Sequence, residues 1–228
     1  YCSDVGQGAE LEGLEAKALA SGASQVVVED LRATFLADFA FPALRAGAVY
    51  EGRYLLGTSL ARPLIAARQV HWALQLGADA VAHGCTGKGN DQVRFELAYQ
   101  SLAPQLAVIA PWREWDIVSR EDALRYADAH GIPVAQTSKD LFSRDGNLWH
   151  LSHEGGPLED PAMVAPESMY RLTNGPDLQP EMPEWLTVGF EAGRPVCLDG
   201  GRLDPVGLVE QLNARAGLHG VGRVDIVE

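Results

Sequence analysis

One segment limits the architecture more than any other: residues 78–83 read as a buried strand, 84–89 as a loop with three glycines, and a helix starts at Asn90 or Asp91. Strand, glycine loop and helix in that order make half of a βαβ unit, and the flanking sequence continues the alternation. Leu11, Leu14, Ala18 and Leu19 fall at helical spacing and end at Gly22. A short β-branched strand follows at 25–29, then a helix over 31–44 through Phe35, Leu36 and Phe39. Ser59 is placed to cap a helix over 60–76, with Pro63 in its first turn and Gly77 closing it. Residues 106–110 form another apolar strand. Ser119-Arg-Glu-Asp122 is an N-cap signature for a helix ending at Gly131, and 132–134 opens a further strand. Strands separated by helices predict an α/β fold, a parallel sheet covered on both faces.

The character changes after about Val134. Residues 137–183 are rich in Ser, Asn, Asp, Gly and Pro and have little period. Alternation returns at 186–190 and 194–198, a helix is expected over 205–216, and 222–228 is apolar on alternate residues like a strand. The expected division is a nucleotide-binding domain at 1–134 and a second, α+β domain at 135–228. A long loop with little structure of its own is more often functional than not. Tyr1-Cys-Ser-Asp4 reads as a strand already under way, and 228 falls inside a strand-like run, so both ends look cut.

Composition excludes several classes. The net charge of −13 opposes non-specific binding to a nucleic-acid backbone, although it does not oppose a small nucleotide held by local amides. No apolar run reaches the length of a membrane span, and no basic segment leads into an apolar one, so no membrane partner is expected. Cys2, Cys85 and Cys197 are odd in number and widely spaced, which suits a reducing cytoplasm better than a disulfide framework.

The loop His83-Gly-Cys-Thr-Gly-Lys-Gly-Asn-Asp91 lies at the C-terminal edge of the expected sheet, where ligands gather. Its glycines let backbone approach an anion, and the helix start offers unpaired N–H groups. The spacing is not that of a Walker A loop: two residues separate Gly84 from Gly87, and Lys88 is followed by glycine. A tight βα turn with no ligand is the alternative. Asn90, Asp91 and Arg94 share the first helical turn, where an arginine can fork onto a carboxylate or phosphate; an N-cap with a surface ion pair is the alternative there. Thr58 and Ser59 precede a helix, with Tyr54 upstream, and read first as a cap with an aromatic staple. His150 and His153 are three apart, but no third ligand completes a zinc pattern, so no protein-bound metal is expected.

Several strings resemble those of the argininosuccinate synthases, and they occur in family order: Gly6-Gln-Gly8, RYLLGTSLARP at 53–63, HGCTGKGNDQVRFE at 83–96, Val108-Ile-Ala-Pro-Trp-Arg113, 143–156 and HGVGRVDIVE at 219–228. The resemblance implies a Rossmann-like nucleotide-binding domain of the adenine nucleotide alpha-hydrolase type, followed by a synthetase domain. It implies ATP-dependent joining of citrulline and aspartate through a citrullyl-AMP intermediate, with Mg2+, in a homotetramer. By resemblance Ser3 and Gly84 line the ATP site, and Thr86, Asn90 and Asp91 hold aspartate. Tyr54, Ser59, Arg94, Ser143, Ser152 and Glu228 would hold citrulline, and Asp91 and Arg94 stand nearest the chemistry.

Cys85 stands where the family usually has alanine, and 140–144 departs mildly from the family pattern. The family's Ser-Gly-Gly-x-Asp-Thr-Ser pyrophosphate loop would precede Tyr1, and a further citrulline contact and an oligomerisation segment would follow Glu228. These 228 residues alone are therefore expected not to bind ATP phosphates properly or to turn over. Two other readings are a different ATP-pyrophosphatase, such as an amidotransferase synthetase or a tRNA-thiolating enzyme, and a non-catalytic fragment that retains amino-acid binding.

Overall fold

The structure is a computed structural model and describes residues 1–86, 89–117, 119–132, 134 and 142–226. The chain divides into two compact units that interleave in sequence. One comprises 1–4, 8–30 and 59–139; the other comprises 5–7, 31–58 and 140–228.

The first unit carries the α/β pattern. Strand β1 (Cys2–Asp4) pairs in parallel with β2 (Val28–Asp30) across helix α1 (Leu14–Ala20). Strand β3 (Ala80–Ala82) pairs in parallel with β4 (Ala107–Ile109), and α5 (Asp91–Leu102) is the crossover between them. Parallel pairs need such a crossover, which is why the glycine loop and the N-terminus of α5 lie at the carboxyl end of β3. Helix α4 (Gly57–Gln75) presents Ala66, Val70 and Ala73 at helical spacing to Val81, Tyr99 and Ala103. Tyr99, only 1% exposed, donates its hydroxyl to Gln69 Oε1 at 2.6 Å, and burial pushes its phenol up. Helix α6 (Arg120–Ala129) starts in a complete capping box: Ser119 accepts from the Asp122 amide, and Asp122 accepts from the Ser119 amide.

The second unit is α+β. Helix α2 (Arg32–Thr34) widens into a π-wound segment, Phe35–Ala40, and returns to α in α3 (Phe41–Arg45). The wider turn puts Phe35, Leu36, Ala40 and Phe41 on one buried face, which α winding would spread apart. Strands β5 (Ser143–Gly146) and β6 (Leu151–Glu154) form a hairpin. Strands β7 (Val188–Glu191), β8 (Arg194–Leu198) and β9 (Gly201–Arg202) form an antiparallel sheet. Helix α7 (Pro205–Leu218) packs on β8; its N-cap Asp204 accepts from the Val206 and Gly207 amides at 3.0 Å each.

Three expectations are corrected. Helix α4 begins at Gly57 rather than after Ser59, so Ser59 is an internal helical residue and Pro63 lies inside the helix. The early start has its cause just upstream: the Tyr54 hydroxyl accepts from the Thr58 amide at 3.2 Å, one of the orphan donors of the first turn. Strand β2 is confined to Val28–Asp30, shorter than and displaced from the run at 25–29. No strand forms over 222–226. Val224 and Ile226 stay exposed there, and Arg223 ties the segment to the carbonyls of Thr173 and Asn174, to Glu167, and to the face of Tyr170. The strand expected to start at 132–134 lies largely outside the described residues.

Leu208 is fully buried in α7, so Leu208→Ala should lower the unfolding free energy by about 2–5 kcal/mol in urea titration. A cost below about 1 kcal/mol would show that the site is not tightly packed.

Candidate functional site

The first unit gathers most of the residues singled out in the sequence. His83 ends the β3 run, its amide donating to Ile109 O at 3.1 Å, and the chain then turns into the loop. Gly84 and Thr86 are exposed, and Asn90 is the N-cap of α5. Its side chain makes no cap bond to the first turn of this 12-residue helix. A Cβ at Gly84 would meet no atom within 4 Å among the described residues, and its φ is not left-handed. Among the described residues, neither packing nor backbone conformation requires glycine here.

Asp91 is the electrostatic centre of this surface. Its Oδ2 accepts from Arg62 Nε and its Oδ1 from Arg94 Nη1, both at 2.7 Å. Arg62 lies on α4, three residues beyond Ser59 and on the same side of the helix. Two guanidinium groups thus converge on one carboxylate in a half-buried setting. Burial pushes the Cys85 thiol up, and the charge of Asp91 pushes it further.

Behind the loop, His83 is buried and stacks near Phe95 and Tyr99. Its Nδ1 accepts from the Cys85 amide at 3.3 Å, and its Nε2 bonds Glu96 Oε1 at 3.0 Å. Arg113 also binds Glu96, and donates to Gln92 at 2.9 Å. Burial alone would raise the Glu96 carboxyl, but donation from Arg113 and His83 outweighs it and holds the group low.

Ser3 lies on β1, buried, with its hydroxyl on Tyr1 Oη at 3.0 Å. Tyr1 donates to Glu29, which also receives Arg68 through two nitrogens and the Trp72 indole. The Arg68 fork holds the Glu29 carboxyl below its usual range, against burial, and Trp72 and Tyr1 add to it.

In the second unit, Tyr54 closes a turn with Tyr50, and its ring lies 5.8 Å from that of His150. His150 Nε2 bonds Thr58 Oγ1 at 2.9 Å, Asn147 donates to the Gly57 carbonyl, and Trp149 donates to that of Leu55. The 147–150 turn thus clasps residues 54–58, and a Cβ at Gly57 would overlap the His150 ring. Ser143 and Ser152 fall on one face of the β5–β6 hairpin with Asp145 and Glu154, because directly paired residues share a side. His153 is on the other face and receives Arg144 Nε at 3.3 Å. His150 and His153 therefore have separate partners, and no group of three metal-binding side chains occurs among the described residues. Glu228, Gly87 and Lys88 lie outside the described residues.

Arg62, Glu96, Arg113 and His150 were not singled out for these roles in the sequence. All four fall within the family-like strings, but only distant partners give them meaning, 29 residues away for Arg62 and 13 for Glu96.

Residues 1–133 match the family described as "Arginosuccinate synthase N-terminal HUP domain", and 142–228 match "Arginosuccinate synthase C-terminal domain". The chain belongs to the argininosuccinate synthase family. It is 62% identical over 228 residues to an argininosuccinate synthase of Roseiflexus castenholzii, covering all of this chain and 57% of that protein. It is 59% identical over 229 residues to the argininosuccinate synthase, chloroplastic, of Arabidopsis thaliana, covering 46% of that protein. It is 58% identical over 226 residues to that of Desulforamulus reducens, covering 56% of it. The chain thus spans about half the length of the curated relatives it matches. The mixed α/β fold with parallel strand pairs agrees with membership of this ATP-using synthetase family. No helix among the described residues is long and apolar enough to cross a membrane.

Two outcomes test these contacts. Glu29 has a depressed folded pKa, so its stabilisation is complete above the unfolded value of about 4.3 and is lost as pH falls through the folded value. Glu29→Gln should therefore flatten the acid limb of stability against pH, measured by urea titration from neutral pH downward. Tyr54→Phe removes the acceptor for the Thr58 amide and should cost about 0.5–2 kcal/mol, as loss of a helix cap does. An unchanged urea midpoint would show that water caps α4 equally well.

Proposed function

We propose that the intact protein containing this chain joins L-citrulline to L-aspartate at the expense of ATP. The ureido oxygen of citrulline attacks the α-phosphorus and pyrophosphate leaves, giving citrullyl-AMP. The aspartate amine then attacks the activated carbon, the C–O bond to AMP breaks, and the amine loses its proton to give argininosuccinate. The observation that supports this most is the surface at the start of α5. There Asp91 is fixed by Arg62 and Arg94, beside a glycine loop whose Gly84 is open to a ligand.

Such chemistry asks the protein for position and charge more than for covalent participation. Ser3 and Gly84 are proposed ATP contacts. Thr86, Asn90 and Asp91 are proposed for aspartate, whose two carboxylates suit helix-end amides and whose ammonium suits Asp91. Tyr54, Ser59, Arg94, Ser143, Ser152 and Glu228 are proposed for citrulline. Asp91 and Arg94 are the residues we place nearest the reacting groups. The described residues do not build a Mg2+ cage, because Asp91 already faces two guanidinium groups and no acidic trio accompanies it. Mg2+ is instead proposed to arrive on the ATP phosphates. We assign 1–134 to nucleotide binding and 135–228 to the synthetase and multimerisation part. We also propose a homotetramer in a reducing cytoplasm, a compartment that the free Cys2, Cys85 and Cys197 suit.

The test is exchange of labelled pyrophosphate into ATP with Mg2+ and citrulline present and aspartate absent. Exchange that requires citrulline is expected; its absence in the intact protein would overturn the proposal. Thr86→Val should leave this exchange intact while raising the KM for aspartate about fivefold to tenfold, the loss of one hydrogen bond.

A further inference from the structure

His83 precedes the glycine loop, touches no open surface, and has both ring nitrogens engaged. Its side chain is 3% exposed. The Cys85 amide is a donor and points at Nδ1, which must therefore carry a lone pair rather than a proton. The remaining proton sits on Nε2, which donates to Glu96 Oε1. Glu96 is in turn held as a carboxylate by Arg113. This chain of donors fixes one tautomer of a neutral imidazole, as a carboxylate fixes the histidine it orients elsewhere.

We propose that His83 is a positioning residue for the nucleotide: its Nδ1, held in the acceptor state by Glu96 and Arg113, sets the backbone of Gly84-Cys85-Thr86 in the conformation that meets the ligand. The geometry is that of an Asx turn with imidazole in place of the carboxamide, a side-chain acceptor bonding the amide two residues on. It acts on an exposed stretch of the loop. Gly84 and Thr86 are exposed, and a Cβ at Gly84 would touch no described atom within 4 Å. The Cys85 amide is thus the point at which the buried face of the unit fixes the loop. The inference rests on the reading that this loop serves ATP, and it makes the loop's aim depend on an ion pair that the ligand does not touch.

Three variants of the intact protein separate this role from mere packing. His83→Asn keeps an acceptor for the Cys85 amide and loses the donor to Glu96. His83→Gln reaches Glu96 and loses the acceptor, whereas His83→Phe keeps only the stacking on Phe95 and Tyr99. In citrulline-dependent pyrophosphate exchange, H83Q and H83F should raise the KM for ATP about fivefold to tenfold, while H83N restores most of the loss. Equal impairment of H83N and H83Q, or a fall in Tm with no change in KM, would overturn the proposal. A second readout needs no activity: the Cys85 amide should exchange slowly with solvent in the wild type and H83N, and faster in H83Q. Long-range nitrogen–proton correlation on the wild-type ring should find Nδ1 unprotonated; a proton there would overturn the inference. A wild type without exchange but with this amide pattern would count against the ligase reading and not against the positioning of the loop.

Discussion

The carboxylate of Asp91, shared between Arg62 and Arg94, is the interaction on which the rest of the first unit's surface depends. It joins the N-terminal half of α4 to the first turn of α5, two helices that meet further along through Ala66, Val70, Ala73 and Tyr99 and through the Tyr99–Gln69 hydrogen bond. Removing the carboxylate takes a shared partner from both guanidinium groups at once, whereas removing either arginine leaves the other on the acid. The arrangement therefore tolerates loss of a guanidinium better than loss of the acid. Position matters as much as charge. An acidic residue in the first helical turn is stabilised by the helix dipole, so Asp91 is anchored from three directions before any ligand arrives.

The remaining polar contacts follow the same plan, in which a side chain far off in sequence supplies what a loop cannot supply for itself. His83, Glu96 and Arg113 hold the backbone beyond β3. Glu29 gathers Tyr1, Arg68 and Trp72 beside β1, where Ser3 lies. In the second unit, the turn between β5 and β6 grips residues 54–58 through His150, Asn147 and Trp149. Each loop that carries a proposed ligand contact is fixed by partners that are not themselves proposed contacts. A site that works through position needs this second layer of support.

Local signals were readable in the sequence, and non-local ones were not. The capping box at Ser119 and Asp122 formed as expected because both partners lie within one turn. The strand–loop–helix at 80–91 was legible because apolar alternation, glycine and helical period follow one another directly. Ser59 failed as a cap because the Tyr54 hydroxyl, held beside His150, satisfies an amide one turn earlier. Alternation at 222–226 suggested a strand, but alternation marks a strand only when a neighbour pairs with it. Here Arg223 engages the 173–174 carbonyls instead. The π-wound segment at Phe35–Ala40 still reads as α-helical in sequence, because Phe35, Leu36 and Phe39 by themselves fit the α period over so short a run. Resemblance named the candidate ligand contacts, yet it did not reveal that Asp91 has two arginine partners.

The most direct test of this account is a double-mutant cycle on Arg62→Met and Asp91→Asn, read as unfolding free energy of the intact protein in urea. Residues in one ion-pair network couple by about 0.5–3 kcal/mol, and a coupling in that range is predicted. A coupling near zero would mean that Arg62 and Asp91 do not hold α4 and α5 together, and the central constraint proposed for this surface would be wrong.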